Sequence, residues 1–275
     1  MATDLGERTI ADFGRQWLSF KDSPGYYGSV EVLQDIFGPL LSVEELRGKR
    51  VAEIGSGAGR IVNMLLAAGA THVVAVEPSA AMTTLRDNTA AYSEQITYLA
   101  LPGDSLPPGL ELDVVVSIGV LHHIPDPAPV VRAVHRALRP GGRFLIWLYG
   151  KEGNEAYLRL ALPLRRLTTH LPHCALVGLS GAISLALDAY ILACRVLPLP
   201  MHRYMRNVVG KFPKSVRRLT VYDQLNPAFA KYYTETEARE LLANGGFADV
   251  ALYHRHSYSW TAIGRKPAAR AAQTA

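Results

Sequence analysis

The residues best suited to bind a ligand lie in a glycine-rich loop that follows a short apolar run. The loop reads Glu53-Ile-Gly-Ser-Gly-Ala-Gly-Arg60, so Gly55, Gly57 and Gly59 occupy alternate positions. Glycines after a strand let the backbone turn sharply and approach a ligand without an intervening Cβ. The spacing differs from the Gly-x-Gly-x-x-Gly of a dinucleotide pyrophosphate site, and Glu53 suits a cationic ligand better than phosphate. The alternative is a tight turn that binds nothing.

Two more acidic residues follow the next two predicted strands. Glu77, in Val-Glu-Pro, could accept hydrogen bonds from both hydroxyls of a ribose. Asp104, next to Ser105, lies where an adenine amino group would need an acceptor. An exposed loop acid and an ordinary Asp-Ser turn are the alternatives. Because the carboxyl ends of parallel strands meet at one edge of a sheet, the three acids and the glycines are expected to line one crevice.

Three histidines are candidates for proton transfer. His122 and His123 follow the predicted fourth strand, where a substrate would lie, and a histidine titrating near neutrality could deprotonate a hydroxyl. His254 lies in a closing hairpin, where strand alternation predicts that it shares a face with His256. A pocket wall and a solvated strand edge are the respective alternatives. We expect no metal site, since no third ligand follows at regular spacing.

Polar and aromatic residues that could contact a substrate fall in three places. These are an N-terminal segment, the end of the fifth predicted strand, and the stretch before the last long helix. The alternatives are core packing for the first place and a structural Asx-type turn with packed tyrosines for the last. The candidates are Tyr26, Tyr27, Tyr149, Asp223, Asn226, Tyr232 and Tyr233.

An alternation of strands and helices must position these residues. Thr234 followed by Glu237 predicts a capping box for the last helix, and Ser79 predicts the cap of the helix that ends near residue 88. The pattern predicts a doubly wound, Rossmann-like α/β sheet of seven strands, with the last strand antiparallel and a helical insertion after the fifth. Strands are predicted at 50–54, 72–76, 96–100, 113–118, 143–149, 249–254 and 257–265.

The same alternation divides the chain into four parts. It predicts an N-terminal helical segment over 1–48, a core made of 49–150 and 234–266, a helical cap over 151–233, and a disordered tail over 267–275. The N-terminal segment resembles a helical lid. The tail is rich in alanine and arginine, which favours fraying.

Several motifs together resemble class I S-adenosylmethionine-dependent methyltransferases. They are the stretch from Val51 to Arg60, Val-Glu-Pro at 76–78, Gly-Asp at 103–104, LDVVVSIGVLHHIPDP at 112–127 and LRPGGRF at 138–144. Within that superfamily they are most similar to the quinone-biosynthesis type and to related small-molecule methyltransferases. The similarity covers about half of the chain and says little about the substrate.

The resemblance implies S-adenosylmethionine as cofactor and implies roles for particular residues. The three loop glycines would cradle its methionine part, and Glu53 would face its ammonium. Glu77, with Pro78 beside it, would bind the ribose, while Asp104 and Ser105 would bind the adenine. The end of the fourth strand would form the pocket floor through Ser117, Ile118 and Gly119. The methyl group would then pass by in-line displacement to an acceptor atom, for which oxygen is the first candidate, carbon the second and nitrogen the third.

Positive charge is concentrated in the insertion. The chain has 29 Lys and Arg against 24 Asp and Glu, which gives +5. Residues 151–221 hold eleven of these cations and three acids, so this stretch carries +8 and the remainder −3. Between Cys174 and Cys194 the chain is apolar, with Asp188 as its single charge. The scaffold is therefore mildly acidic, and the insertion needs its own explanation.

Three interpretations of the insertion stay open. It could cap the active site or form a homodimer contact, lie on an anionic membrane surface, or span a bilayer. The first two provide an apolar roof, which favours a hydrophobic or lipid-linked acceptor. A nucleic-acid partner is not expected, since interleaved aromatic residues are missing. Two cysteines and the absence of a signal-like start predict a cytoplasmic protein, with or without membrane association.

Two other functions compete with methyl transfer. One is a protein that binds S-adenosylmethionine without transferring its methyl group, acting as a scaffold or rearrangement catalyst. The other is a nicotinamide dehydrogenase, although the sequence has no Tyr-x-x-x-Lys pair of the short-chain type.

Overall fold

A mixed sheet occupies the centre of the computed structural model, which describes residues 2–22, 24–168, 171–226 and 229–268. The strands lie side by side in the order third, second, first, fourth, fifth, seventh, sixth. The first five are parallel, and the seventh is antiparallel to both of its neighbours. This confirms the predicted seven-stranded, doubly wound fold. The strands are β1 Arg50–Ile54, β2 His72–Val76, β3 Ile96–Leu99, β4 Leu112–Ile118, β5 Leu138–Tyr149, β6 Ala248–Arg255 and β7 Ser259–Arg265.

Helices precede the sheet, connect its strands and form the insertion. Thr234 and Glu237 make the predicted reciprocal capping box at the start of the last helix. The helices are α1 Ala2–Ser19, α2 Val30–Phe37, α3 Arg60–Ala67, α4 Met82–Asn88, α5 Ala128–Ala137, α6 Glu155–Thr168, α7 His173–Ala193, α8 His202–Asn207, α9 Lys214–Leu225 and α10 Glu235–Ala243.

Apolar clusters cover both faces of the sheet, because its central strands are apolar on both sides. Val51 and Val73 pack in one cluster with α2 and α3. Their neighbours Ala52 and Val74 point the other way and pack with α5 and α10. The sheet is thereby held rigid, and its carboxyl edge can position side chains for a site.

Two element boundaries differ from the prediction. α4 begins at Met82 with Ala81 as its N-cap, because Ser79 forms a preceding turn and accepts from the Ala81 N–H at 3.1 Å. β5 begins at Leu138 rather than at residue 143, since Leu138 pairs with Leu112 across a register shift. The Pro-Gly-Gly sequence therefore bulges within the strand instead of preceding it.

The described part of 151–233 is mainly helical, and α7 packs along α9. Asp188 on α7 and Arg217 on α9 form an ion pair at 2.5 Å between the two helices. The Asx-type turn considered for the segment from Tyr222 onward is wrong for its first residues, because they form the last turn of α9. Its Pro227 lies outside the described residues.

One helix of the described residues, Cys174–Ala193 within α7, is long and apolar enough to cross a bilayer, judged by length and composition. Its mean hydropathy is 1.8. The predicted disordered tail falls mostly on residues 269–275, which lie outside the described ranges.

Candidate active site

A cavity of about 640 Å³ lies at the carboxyl edge of the sheet. Its walls come from α1, the loop after β1, the ends of β2, β4 and β5, and from α8 and α9 of the insertion. This volume falls within the ~300–1,000 Å³ typical of ligand sites. The cavity has two chemically different ends, one at the glycine loop and one at a network of polar side chains.

Most of the residues predicted to bind the cofactor meet at the first end. Gly55 has φ 77°, and a Cβ there would lie 2.5 Å from a methyl carbon of Val120, so only glycine fits without a shift. The predicted residues that line the cavity are Gly55, Glu77, Pro78, Asp104, Ile118 and Gly119.

The Glu77 carboxylate holds the glycine loop to the end of β2. Its Oε2 accepts from the Gly57 N–H at 2.8 Å, and its Oε1 accepts from the Ser79 N–H at 2.9 Å. A carboxylate offers about four acceptor positions, so two remain for hydroxyl donors in the cavity. Glu77 is therefore able to shape the loop and bind a diol at once.

Glu53 is a buried carboxyl with an unsatisfied oxygen. The side chain is 1% exposed, and its Oε2 has no partner among the described atoms. Burial raises the pKa of Glu53 to about 8, against the opposing effect of Arg60. Glu53 does not line the cavity, so its carboxyl lies behind the glycine loop, where it suits a bound ammonium or sulfonium through its charge rather than by direct contact.

The other predicted cofactor residues support the site from outside the cavity wall. Gly59 caps α3 at φ 87°, and Gly57 lies against the Trp17 indole, so neither has room for a side chain. Ser117 is fully buried, with its hydroxyl directed at the Ile54 carbonyl at 3.4 Å. The Ser105 hydroxyl donates to Asp104 at 3.2 Å. The structure thus gives these four residues positions behind the cavity rather than facing it.

Asp223 is the centre of the polar end. Its Oδ1 accepts from the Gln16 amide at 3.0 Å, and its Oδ2 accepts from the Tyr149 hydroxyl at 2.8 Å. Gln224 donates in turn to the Tyr149 oxygen at 2.9 Å. These four side chains come from α1, β5 and α9, and all line the cavity. Burial, followed by the nearby Asp223 charge, raises the pKa of Tyr149 well above its usual value, so Tyr149 remains a donor.

Arg165 supports this network from behind. It is buried, and its Nε donates to the Gln224 carbonyl at 2.8 Å. Its Nη2 reaches the Tyr232 hydroxyl at 3.3 Å, while Nη1 has no partner among the described atoms. The buried guanidinium therefore fixes the Gln224 backbone and the Tyr232 hydroxyl, which lie beside Asp223 and Tyr149.

The two adjacent histidines lie differently. His123 lines the cavity, with its Nδ1 2.8 Å from the Phe229 carbonyl, so Nδ1 must donate and Nε2 is left as an acceptor. Burial lowers the pKa of His123 to about 4, although Asp223 opposes the shift. His122 lies behind it and stacks on Tyr149 with ring centroids 3.8 Å apart. Burial holds the pKa of His122 well below its usual value, and this residue packs rather than facing the cavity.

His254, a predicted catalytic candidate, lies outside the cavity. Its ring stacks on Trp260 with centroids 4.1 Å apart, and the residue does not line the cavity. His256 does not share its face either, because β6 ends at Arg255 and His256 turns at φ 49° to contact Asp35. The hairpin contributes Arg255 and Tyr258 to the cavity instead.

The predicted substrate tyrosines include some that line the cavity and others that pack behind its wall. Tyr27 lines the cavity under the Arg60 guanidinium, 4.2 Å from its ring centroid. Tyr26 packs on Phe212 outside the cavity wall. Tyr232 stacks behind Tyr149 with centroids 5.3 Å apart.

Tyr233 and Asn226 also lie behind the wall. Tyr233 is buried, and its N–H donates to the Tyr149 carbonyl at 2.8 Å. Asn226 donates to the Gln16 side chain at 3.2 Å, so it orients a cavity residue without reaching the cavity itself.

Several residues of the cavity and its support are not among the predicted site residues. They are Gln16, Trp17, Gln224 and Arg165. The first two lie in the N-terminal segment considered as a lid, and Gln224 lies between the predicted Asp223 and Asn226. In the described ranges, no group of three His, Cys, Asp or Glu side chains comes close enough to hold a metal ion.

Comparison with known proteins agrees with this geometry. Residues 52–144 match the family model described as a methyltransferase domain. The chain is 31% identical over 104 residues to the ubiquinone biosynthesis O-methyltransferase of Pseudomonas aeruginosa strain LESB58, covering 37% of this chain and 44% of that protein. It is 33% identical over 113 residues to the tRNA U34 carboxymethyltransferase of Hahella chejuensis, covering 40% of this chain and 35% of that protein. The chain thus spans less than half the length of these relatives.

Solved structures share the fold at low sequence identity. The magnesium protoporphyrin IX methyltransferase of Synechocystis PCC 6803, with S-adenosylhomocysteine bound, has a TM-score of 0.52 at 16% identity, covering 96% of this chain and 99% of that one. The pyocyanin biosynthetic protein PhzM has a TM-score of 0.52 at 15% identity, covering 86% of this chain and 55% of that one.

The matched domain also distinguishes between S-adenosylmethionine and a nicotinamide cofactor, the two cofactors that were considered for the glycine loop. Its family uses S-adenosylmethionine, and the loop spacing and the orphaned Glu53 oxygen fit that cation better than the pyrophosphate of a nicotinamide cofactor. The chain therefore carries a class I S-adenosylmethionine-dependent methyltransferase domain.

Proposed function

We propose that this protein transfers a methyl group from S-adenosylmethionine to a hydroxyl oxygen of a small, mainly apolar acceptor. The observation that carries the proposal is the two-ended cavity, which joins the glycine loop to the Asp223 network. The similarity to an O-methyltransferase of ubiquinone biosynthesis supports oxygen as the acceptor atom.

At the cofactor end, the chain would bind a ligand that supplies a sulfonium-bound methyl group. Glu77 would accept the ribose hydroxyls with the positions that the loop N–H groups leave free. Asp104 would accept from the adenine amino group, and Gly55 would let the methionine part approach the backbone. Glu53 would balance the positive charge, which favours its ionised form.

At the acceptor end, the chain would orient a hydroxyl and take its proton. His123 Nε2 is an acceptor held in one tautomer by Phe229, so it suits a hydroxyl that donates toward it. The cofactor would supply the methyl group to the hydroxyl oxygen, and the His123 imidazole would receive the hydroxyl proton. Apolar side chains of α1, including Ile10 and Phe13, would exclude water.

The test incubates the protein with S-adenosylmethionine and a panel of phenols and hydroquinones that carry alkyl chains of increasing length. Mass spectrometry then follows S-adenosylhomocysteine and the O-methylated product. We expect both in equal amounts, with a preference for the more apolar acceptors. Cofactor binding with no product from any acceptor would instead favour the competing function, a protein that binds the cofactor without transfer.

A further inference from the structure

The helix α7 exposes a face without polar side chains. The exposed residues fall within about 120° of arc at ~100° per residue, so they form one stripe along the helix. Leu185 is 71% exposed and Leu192 63% exposed, and Val196, just beyond the helix, is 81% exposed. The exposed residues within the helix are Cys174, Ala175, Gly178, Ala182, Leu185, Ala186, Ala189 and Leu192.

The opposite face of α7 is already occupied. Leu176 and Ile191 are buried there, and Asp188 pairs with Arg217 on α9. A helix held on one side by the protein cannot span a bilayer as an isolated rod. A solvent-facing stripe on such a helix is usually polar, so this apolar stripe indicates a surface that meets something other than water.

A basic cleft adjoins the carboxyl end of the stripe. It has a volume of about 350 Å³, and its lining includes Arg195 and Arg206 together with Asn207. Neither guanidinium makes an ion pair with any described residue. Arg203, in the same helix as Arg206, is also exposed. The cleft therefore offers free cations beside exposed leucine and valine.

Acidic side chains are almost missing from this region. Between residues 156 and 222 the chain contains one, Asp188, and Arg217 neutralises it. A second copy of the chain would therefore bring further cations to the cleft and no free carboxylate to balance them. An anionic partner with an apolar interior matches the surface better.

We propose that the stripe on α7 and the Arg195–Arg206 cleft dock on the surface of an anionic phospholipid bilayer. The apolar side chains enter the boundary between head groups and acyl chains, and the guanidinium groups hold lipid phosphates. This proposal uses a surface outside the catalytic cavity and does not depend on the proposed methyl transfer.

The test is sedimentation of the full chain with phosphatidylcholine vesicles that contain or lack phosphatidylglycerol. We expect binding to the anionic vesicles that weakens with salt, and much weaker binding to the neutral ones. Leu185→Glu with Leu192→Glu should abolish binding, whereas Tyr92→Glu, at an exposed aromatic residue far from the stripe along the chain, should leave it unchanged. Circular dichroism would show that each variant is folded.

A second pair of variants tests the cations. Arg195→Gln with Arg206→Gln should lower vesicle affinity by about fivefold for each charge removed. The matched control, Arg132→Gln with Arg136→Gln, removes the same charge from the exposed side of α5 and should have little effect. An equal loss of vesicle affinity in the two double variants, or no vesicle binding by the unaltered protein, would overturn the proposal. So would a lipid-independent dimer that dissociates on Leu185→Glu, since a second copy would then cover the stripe.

Discussion

Two buried carboxylates at the ends of neighbouring strands, Glu53 and Glu77, are used in different ways. Glu77 is satisfied by two backbone N–H groups, whereas Glu53 keeps one oxygen without a partner and has a pKa of about 8. Burial is the main cause of the raised pKa of Glu53, because a desolvated carboxylate is costly when one of its oxygens has no donor. One carboxylate therefore builds the loop, and the other is left free to respond to a bound cation.

The raised pKa of Glu53 predicts how cofactor binding depends on pH. As the pH rises toward 8, the folded protein ionises Glu53, so affinity for S-adenosylmethionine should increase. Without ligand, the unfolded chain loses this proton near its ordinary pKa of 4.5 and the folded protein loses it near 8, so stability should fall between these values. Calorimetric titration and thermal unfolding across this range measure both trends. Glu53→Gln should make both the affinity for S-adenosylmethionine and the stability less dependent on pH. If both kept the same pH dependence in that variant, Glu53 would not be the group responsible.

Glu77→Ala should weaken cofactor binding by about tenfold or more, since hydrogen bonds to charged groups contribute roughly 1.5–3 kcal/mol. The variant loses both the loop contacts and the acceptors for ribose. Isothermal titration with S-adenosylhomocysteine measures the change, with Glu94→Ala as an exposed control. Equal affinity of the two variants would remove Glu77 from the ribose site.

His123→Ala should lower kcat by about a hundredfold or more if its Nε2 takes the hydroxyl proton. Cofactor affinity should stay unchanged, because His123 lies at the acceptor end. With a pKa of about 4, His123 is neutral near pH 7, so the rate should decline only as the pH approaches that value. His72→Ala, in β2 and outside the cavity, is the control. A similar kcat in both variants would leave His123 as part of the wall.

At the scale of elements, the turn from β1 into α3 depends on one close approach. Gly55 has φ 77°, and a Cβ would collide with the Val120 side chain that follows β4. Gly48 has a similar φ of 75° but has no atom within 4 Å of such a Cβ. Comparing substitutions at the two glycines therefore separates the cost of left-handed backbone strain from the cost of a steric contact.

Gly48→Ala should cost about 1 kcal/mol of stability from left-handed strain alone. Gly55→Ala should cost more, because it adds the contact with Val120, and it should also impair cofactor binding. Chemical denaturation of both variants measures the difference, and Gly55→Ala with Val120→Ala should recover part of it. If both single variants lost the same stability, the close approach would be irrelevant.

At the scale of the whole molecule, α8 stands between the cavity and the proposed membrane surface. Tyr204 of this helix lines the cavity, whereas Arg206 and Asn207 line the basic cleft. An apolar acceptor dissolved in a bilayer would thus be one helix away from the site. This arrangement connects the two proposals without making either depend on the other.

If both proposals hold, anionic vesicles should lower the KM for an alkylated phenol while leaving the KM for S-adenosylmethionine unchanged. The reason is that docking concentrates the protein where an apolar acceptor dissolves. Initial rates with and without vesicles measure the effect, and Leu185→Glu with Leu192→Glu should remove it. A fall in both KM values would point to a general change in the enzyme instead.

Local patterns in the sequence identified the strands of the sheet and the main residues of the cofactor end of the site. The first five strands and the glycine loop are contiguous between residues 50 and 149, so apolar runs and strand ends place their residues without knowledge of distant contacts. The predicted ribose and adenine acids, Glu77 and Asp104, line the cavity for that reason.

At the acceptor end, the sequence supplied candidates such as Asp223 and Tyr149, and the tertiary structure decided which of them meet in the cavity. Gln16 and Asp223 meet although they are separated by 207 positions, and Arg165 reaches the same network from a third helix. Strand alternation placed His254 in the site, but packing on Trp260 turned it away. Such contacts depend on how the insertion and α1 pack over the sheet edge, which periodicity along a chain does not encode.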